Sequence, residues 1–130
     1  MKKFFLLISI FFFSCEKSEN LPAIYNSIEG KWLAQGTVPI GNTMYLYENG
    51  VRYTYYCVEG DCNSLYNSYK ANDGNHLPST HNYTFENDIL RVDLNFGNEL
   101  VTPIIFECDS GKANFTTPGY SLIRLNSGCN

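Results

Sequence analysis

The chain has 130 residues, a formal net charge of −4 and a pI near 5.0. That balance argues against a nucleic-acid binder and against docking on anionic headgroups, because both need a basic face. The length allows one folded domain, large enough to bury about two-thirds of its unfolded surface.

The first element is a leader. Lys2 and Lys3 precede an apolar run from Phe4 to Phe13 that only Ser9 interrupts. Such a run is about half of the ~20 residues that cross a bilayer, so it reads as the h-region of a signal peptide. The stretch Phe12-Phe13-Ser14-Cys15 resembles a lipobox, with Phe where Leu is commonest. The resemblance implies cleavage after Ser14 and a diacylglycerol thioether on Cys15, with acylation of the new amino group. Residues 1–14 are then the leader, 15–27 a polar tether and 28–130 the folded body. Two or three acyl chains give a stable anchor at about 0.8 kcal/mol per buried CH2. Glu16 and Glu19, just past the lipid cysteine, resemble surface-export signals of some Gram-negative lipoproteins. The expected location is the Gram-negative envelope, at the outer membrane and with surface display as an option. Losing Lys2 and Lys3 takes the net charge from −4 to about −6.

Beyond Pro22, only Leu21 to Ile28 has the makings of a helical turn. Period-2 alternation dominates the rest, which marks strands with one buried face. Val51, Tyr53, Tyr55 and Cys57 alternate with Arg52, Thr54 and Tyr56; Leu90, Val92 and Leu94 alternate with Arg91, Asp93 and Asn95. Strands are predicted at 30–36, 42–48, 51–58, 64–70, 81–86, 89–95, 100–108, 112–117 and 120–125, eight or nine in all, with the longest loop at 71–80. Asn49-Gly50, Asn87-Asp88, Asn95-Phe96-Gly97 and Asp109-Ser110-Gly111 supply the positive φ that hairpin turns require. The pattern predicts an all-β antiparallel meander, closed as a barrel or folded as a sandwich.

Cys57, Cys62, Cys108 and Cys129 remain after the lipid cysteine. An even count in an exported chain suggests two disulfides, for which three pairings exist. The favoured one joins Cys57 to Cys62, closing a short loop, and Cys108 to Cys129, tying down the tail. No metal site is expected, because no C-x-x-C pair is present and His76 and His81 are badly spaced for zinc.

Ile28-Glu29-Gly30-Lys31-Trp32 carries a Gly-x-Trp pattern, and Tyr120-Ser121-Leu122-Ile123-Arg124-Leu125 places an Arg late in the last strand. Together with Met44–Gly50 and Tyr83–Leu90, these residues resemble a small lipocalin-like lipoprotein over about residues 28–126. The resemblance implies an up-and-down barrel of about eight strands, with Arg124 packed across Trp32 to close one end. It also implies a small apolar or amphipathic ligand inside the barrel. Tyr53, Tyr55, Phe85, Leu90, Val92, Ile104 and Phe106 are the expected lining.

No nucleophile elbow, zinc-protease helix, P-loop or dinucleotide fingerprint occurs, so neither an enzyme nor a cofactor is expected. Glu48, Glu59, Asp61, Asp73 and Asp88 fall in predicted turns, where solvated acids belong; Asp93 and Glu107 alternate with apolar residues and should face solvent. Seven tyrosines between Tyr45 and Tyr69 could pair across strands or present an aromatic surface to an envelope protein or a glycan. The function expected is a lipid-anchored envelope protein that binds a ligand in its barrel. The alternative is a non-enzymatic interaction or structural lipoprotein whose barrel its own side chains fill.

Overall fold

A computed structural model describes residues 26–36 and 41–130. The leader, Cys15 and most of the tether lie outside the described residues, as does most of the helical turn expected at 21–28. Eight strands follow in order: β1 (Gly30–Ala34), β2 (Thr43–Glu48), β3 (Val51–Tyr56), β4 (His81–Glu86), β5 (Ile89–Asp93), β6 (Glu99–Glu107), β7 (Lys112–Phe115) and β8 (Ser121–Arg124). Each pairs antiparallel with the next, and β8 returns to β1, closing the barrel. The predicted all-β, lipocalin-like up-and-down barrel is therefore the architecture found. Closure leaves no free sheet edge between residues 30 and 124, so the polypeptide from residue 26 onward carries a complete sheet.

The two ends of the barrel differ. Tight turns gather at one end, where Asn49 and Gly50 have φ of 51° and 78°, and Asn87 and Asp88 have 51° and 60°. These values match the right-handed strand twist, which explains the Asn, Asp and Gly found there. Longer connections at the other end join β1 to β2 and β3 to β4.

The segment just before β1 closes the tight-turn end. Arg124 places its guanidinium carbon 4.2 Å from the centre of the Trp32 ring. Its Nη1 and Nη2 donate to the carbonyls of Glu29 and Ser27 at 2.8 Å each, and Nε donates to Ser110 O at 3.2 Å. Trp32 is fully buried, and its Nε1 donates to Ile28 O at 2.7 Å. Gly30 is required here: its φ is +112°, and a Cβ would meet Arg124 Nη1 at 2.9 Å. Arg124 thus lies across Trp32 at the junction of the first and last strands. Both favoured disulfides form, Cys57–Cys62 and Cys108–Cys129, the second holding the tail against the turn before β7.

The strand expected at 64–70 is instead the helix α1 (Cys62–Ser68). Asp61 caps it, accepting from Ser64 N at 3.1 Å and Ser64 Oγ at 2.6 Å. Lys31, on the outer face of β1, donates through Nζ to Tyr66 O and Asn67 O at 2.8 Å each, placing positive charge at the helix C-terminus. Cys62, Tyr66 and Tyr69 fall at helical spacing, a signal that the alternation of Asn and Ser concealed. The β3–β4 connection thus spans 57–80, with α1 where a strand was expected ahead of the long loop at 71–80.

Replacing Arg124 with Ala removes the ring contact and three hydrogen bonds, and should cost about 2–4 kcal/mol. Arg124→Lys should recover less than half, because one ammonium cannot span three carbonyls and a ring. Urea denaturation followed by Trp32 fluorescence checks both.

Candidate functional site: the barrel interior

Register decides which side chains point inward. Gly30 pairs with Tyr47 and Tyr47 with Arg52; Trp32 pairs with Tyr45 and Tyr45 with Thr54. Trp32 and Tyr47 belong to the inner core with Leu90, Val92, Ile104, Phe115 and Leu122. Arg52 and Thr54 therefore point inward as well.

One part of the interior is apolar. Phe106 lies 6.3 Å from Trp32 and 5.9 Å from Phe85, centre to centre. Leu90 and Val92 have no exposure, and Ile104 is buried beside them. Of the expected lining, Phe85, Leu90, Val92, Ile104 and Phe106 do face inward and form this layer.

Tyr53 and Tyr55 do not. They pair with Leu46 and Met44 on the opposite face of β2–β3, in a second core with Cys57 and Tyr66. There α1 and the following loop cover them. Tyr55 stacks on Tyr69 at 4.9 Å and donates its hydroxyl to Lys70 O at 2.8 Å; His76 packs edge-on to Tyr53 at 5.1 Å. Their removal from the barrel lining corrects the expectation. The alternation was read correctly, but the greasier face was assigned to the barrel when a helix covers it. The same cover buries most of the aromatic surface proposed for a partner; Tyr56 alone of the β3 tyrosines stays exposed, at 56%.

The other part of the interior is polar. Arg52 is 8% exposed, and its guanidinium carbon sits 4.9 Å from the centre of the Tyr45 ring. Tyr47 is fully buried and packs edge-on against Tyr83 at 5.0 Å. Arg52 Nε and Tyr47 Oη reach no partner in good hydrogen-bond geometry, yet the two side chains face each other closely enough for Arg52 to favour the phenolate both by its charge and as a donor. Burial outweighs that effect and pushes the Tyr47 phenol up to about 12. Tyr120 shares the neighbourhood: burial raises its phenol, Tyr47 and Tyr45 add to the rise, and Arg52 opposes it. His81 stands opposite Arg52 in the β3–β4 register, with its Nδ1 engaged by Asp93 O at 2.8 Å.

Among the described residues no internal counter-ion meets Arg52. Every carboxylate among the described residues is exposed, including Asp93 and Glu107 as expected, and the sole ion pair among them joins Arg91 to Glu99 at 3.6 Å on the outside. Among the described residues no group of three or more His, Cys, Asp or Glu is placed to hold a metal. Arg52 and Tyr47 were not expected as site residues. The available signal was a lone Arg in a Tyr-rich strand, on the face opposite to the greasier one.

At the closed end, an open cleft of about 300 Å³ lies between the 27–29 segment, Gly50 and β4. Tyr83 donates its hydroxyl to the Glu29 carboxylate there; burial first, then this acceptor, raises the Tyr83 phenol. Comparison with protein-family models, curated proteins and solved structures finds no match.

Two predictions follow from the buried phenols and the lone cation. Tyr47, Tyr55, Tyr83 and Tyr120 all have raised values in the fold. Their stabilisation is complete below the ordinary phenol value near 10 and is lost as pH rises through the folded value, about 12 for Tyr47. Denaturation midpoints should therefore hold steady to about pH 9 and fall above about pH 10. Arg52→Met removes an uncompensated buried charge of similar length, so the ligand-free protein should gain about 1–3 kcal/mol. Equilibrium unfolding of the two proteins checks this.

Proposed function

We propose that the chain is a lipid-anchored, non-enzymatic envelope protein whose barrel takes a small amphipathic ligand. The observation that carries this reading is the mixed interior. An apolar layer of Trp32, Phe85 and Phe106 adjoins a polar zone where buried Arg52 and Tyr47 keep unpartnered atoms. A barrel meant only to be filled by itself gains nothing from such atoms, since an unsatisfied buried polar group costs about 1–3 kcal/mol. The leader, the lipobox-like stretch and the acidic tether support anchoring through Cys15 at the outer membrane. Two disulfides suit an oxidising compartment outside the cytoplasm.

A second reading, an interaction lipoprotein with a filled barrel, draws on the tight packing of Phe106 against Trp32 and Phe85.

Native mass spectrometry of the exported body, residues 18–130, purified without detergent, separates the two. A releasable mass excess supports the ligand reading, and Phe106→Trp should reduce it by filling the apolar layer. A clean ligand-free mass that stays unchanged with amphiphiles favours the filled barrel. Anchoring has its own check: Cys15→Ala should abolish incorporation of labelled palmitate and move the protein from the membrane to the soluble fraction.

A further inference from the structure

We infer that the end of the tether, residues 21–25 (Leu-Pro-Ala-Ile-Tyr), lies along the outer face of β6 and covers Val101, Pro103 and Ile105. β6 alternates strictly. Thr102 and Ile104 are buried inside the barrel, so Val101, Pro103 and Ile105 point out. Outward positions on nearby strands are polar: Asn82, Thr84 and Glu86 on β4, Arg91 and Asp93 on β5, Lys112 and Asn114 on β7. A single exposed apolar residue is ordinary, but three in a row on one strand face make a ridge of the kind that marks a contact surface. Val101 is 41% exposed and Ile105 55%, and Ile89, opposite Pro103 on β5, widens the ridge. The apolar outer face of β2 and β3 is covered by the chain itself, through α1.

The chain enters the described body beside this ridge. Asn26 Oδ1 accepts from Ser110 Oγ at 3.0 Å, and Ser110 lies in the turn that follows β6. Five extended residues before Asn26 span about 17 Å, and the six steps of β6 from Glu107 back to Val101 span about 20 Å. Tyr25 and Ile24 then pass Ile105 and Pro103, and Leu21 reaches Val101. Composition agrees with that length: residues 16–20 read Glu-Lys-Ser-Glu-Asn, and the apolar stretch begins at Leu21, where the ridge ends. Glu19, two residues earlier, comes to Arg91, which stands opposite Val101 on β5. On this course the tether leaves the body beside the β5–β6 turn, at the end away from the Trp32–Arg124 closure. That fixes which end of the barrel faces whatever the N-terminus is attached to.

The test is site-specific photocrosslinking in the full chain, expressed with its leader. p-Benzoylphenylalanine replaces Ile105, or Val101 in a second protein, and exposed Asn82 on β4 as a control. Each protein is first shown to melt cooperatively, and the Val101 protein decides if the Ile105 protein does not fold. After irradiation, reduction and trypsin, the expected product is peptide 18–31 joined to 92–112, from material of monomer mass. That pair is the same whether or not Cys15 carries lipid. The control should not yield 18–31, and Ile24→Asp should lower the yield from position 105 about tenfold. A crosslink of dimer mass assigns the ridge to a second copy and overturns the inference. So does a crosslink to another protein, the absence of any crosslink from the ridge, or a yield that Ile24→Asp leaves unchanged.

Discussion

The contact between Arg124 and Trp32 is the one on which the rest of the fold depends. A barrel needs its first and last strands to meet, and here the meeting is short: three residue pairs join β1 to β8. Arg124 reinforces that seam by lying across the Trp32 ring and binding three carbonyls, two of them in the segment that enters β1. One side chain thus joins the last strand, the turn before β7 and the strap over the closed end. Gly30 makes room for it.

The seam has a counterpart across the barrel. Only two residue pairs join β3 to β4, so that side is the weaker wall. The long connection compensates from outside. Leu77 N donates to Thr54 O at 2.8 Å, and α1 covers the outer face of β2 and β3. Lys31, beside Trp32 in sequence, reaches outward to the end of α1 while Trp32 turns inward. Neighbouring residues of β1 therefore secure two separate cores, one inside the barrel and one outside it.

This outside core changes what the interior contains. Because α1 takes the greasy face of β3, the face left for the barrel is Arg52 and Thr54. Four consecutive residues of β3 are buried, so its polar residues Arg52 and Thr54 have little access to water. Arg52 is held there against the ring of Tyr45 and beside the Tyr47 phenol, among aromatic side chains rather than carboxylates.

Alternation and turn residues, both local signals, were enough to place the strands from 81 onward and the hairpin turns, and the even cysteine count to expect two disulfides; they left barrel and sandwich both open, and the barrel followed only from the lipocalin resemblance. Five of the seven expected lining residues followed from the same alternation, since β4, β5 and β6 each have one apolar face and that face turns inward. Helix α1 was only faintly legible: Asp61 as a cap and the Cys62, Tyr66, Tyr69 spacing competed with a Tyr-rich pattern that also suits a strand. The site around Arg52 was not legible at all. Alternation says that two faces differ, and it cannot say what will cover each. That was decided only in three dimensions, when α1 folded back over Tyr53 and Tyr55 and left Arg52 facing the core.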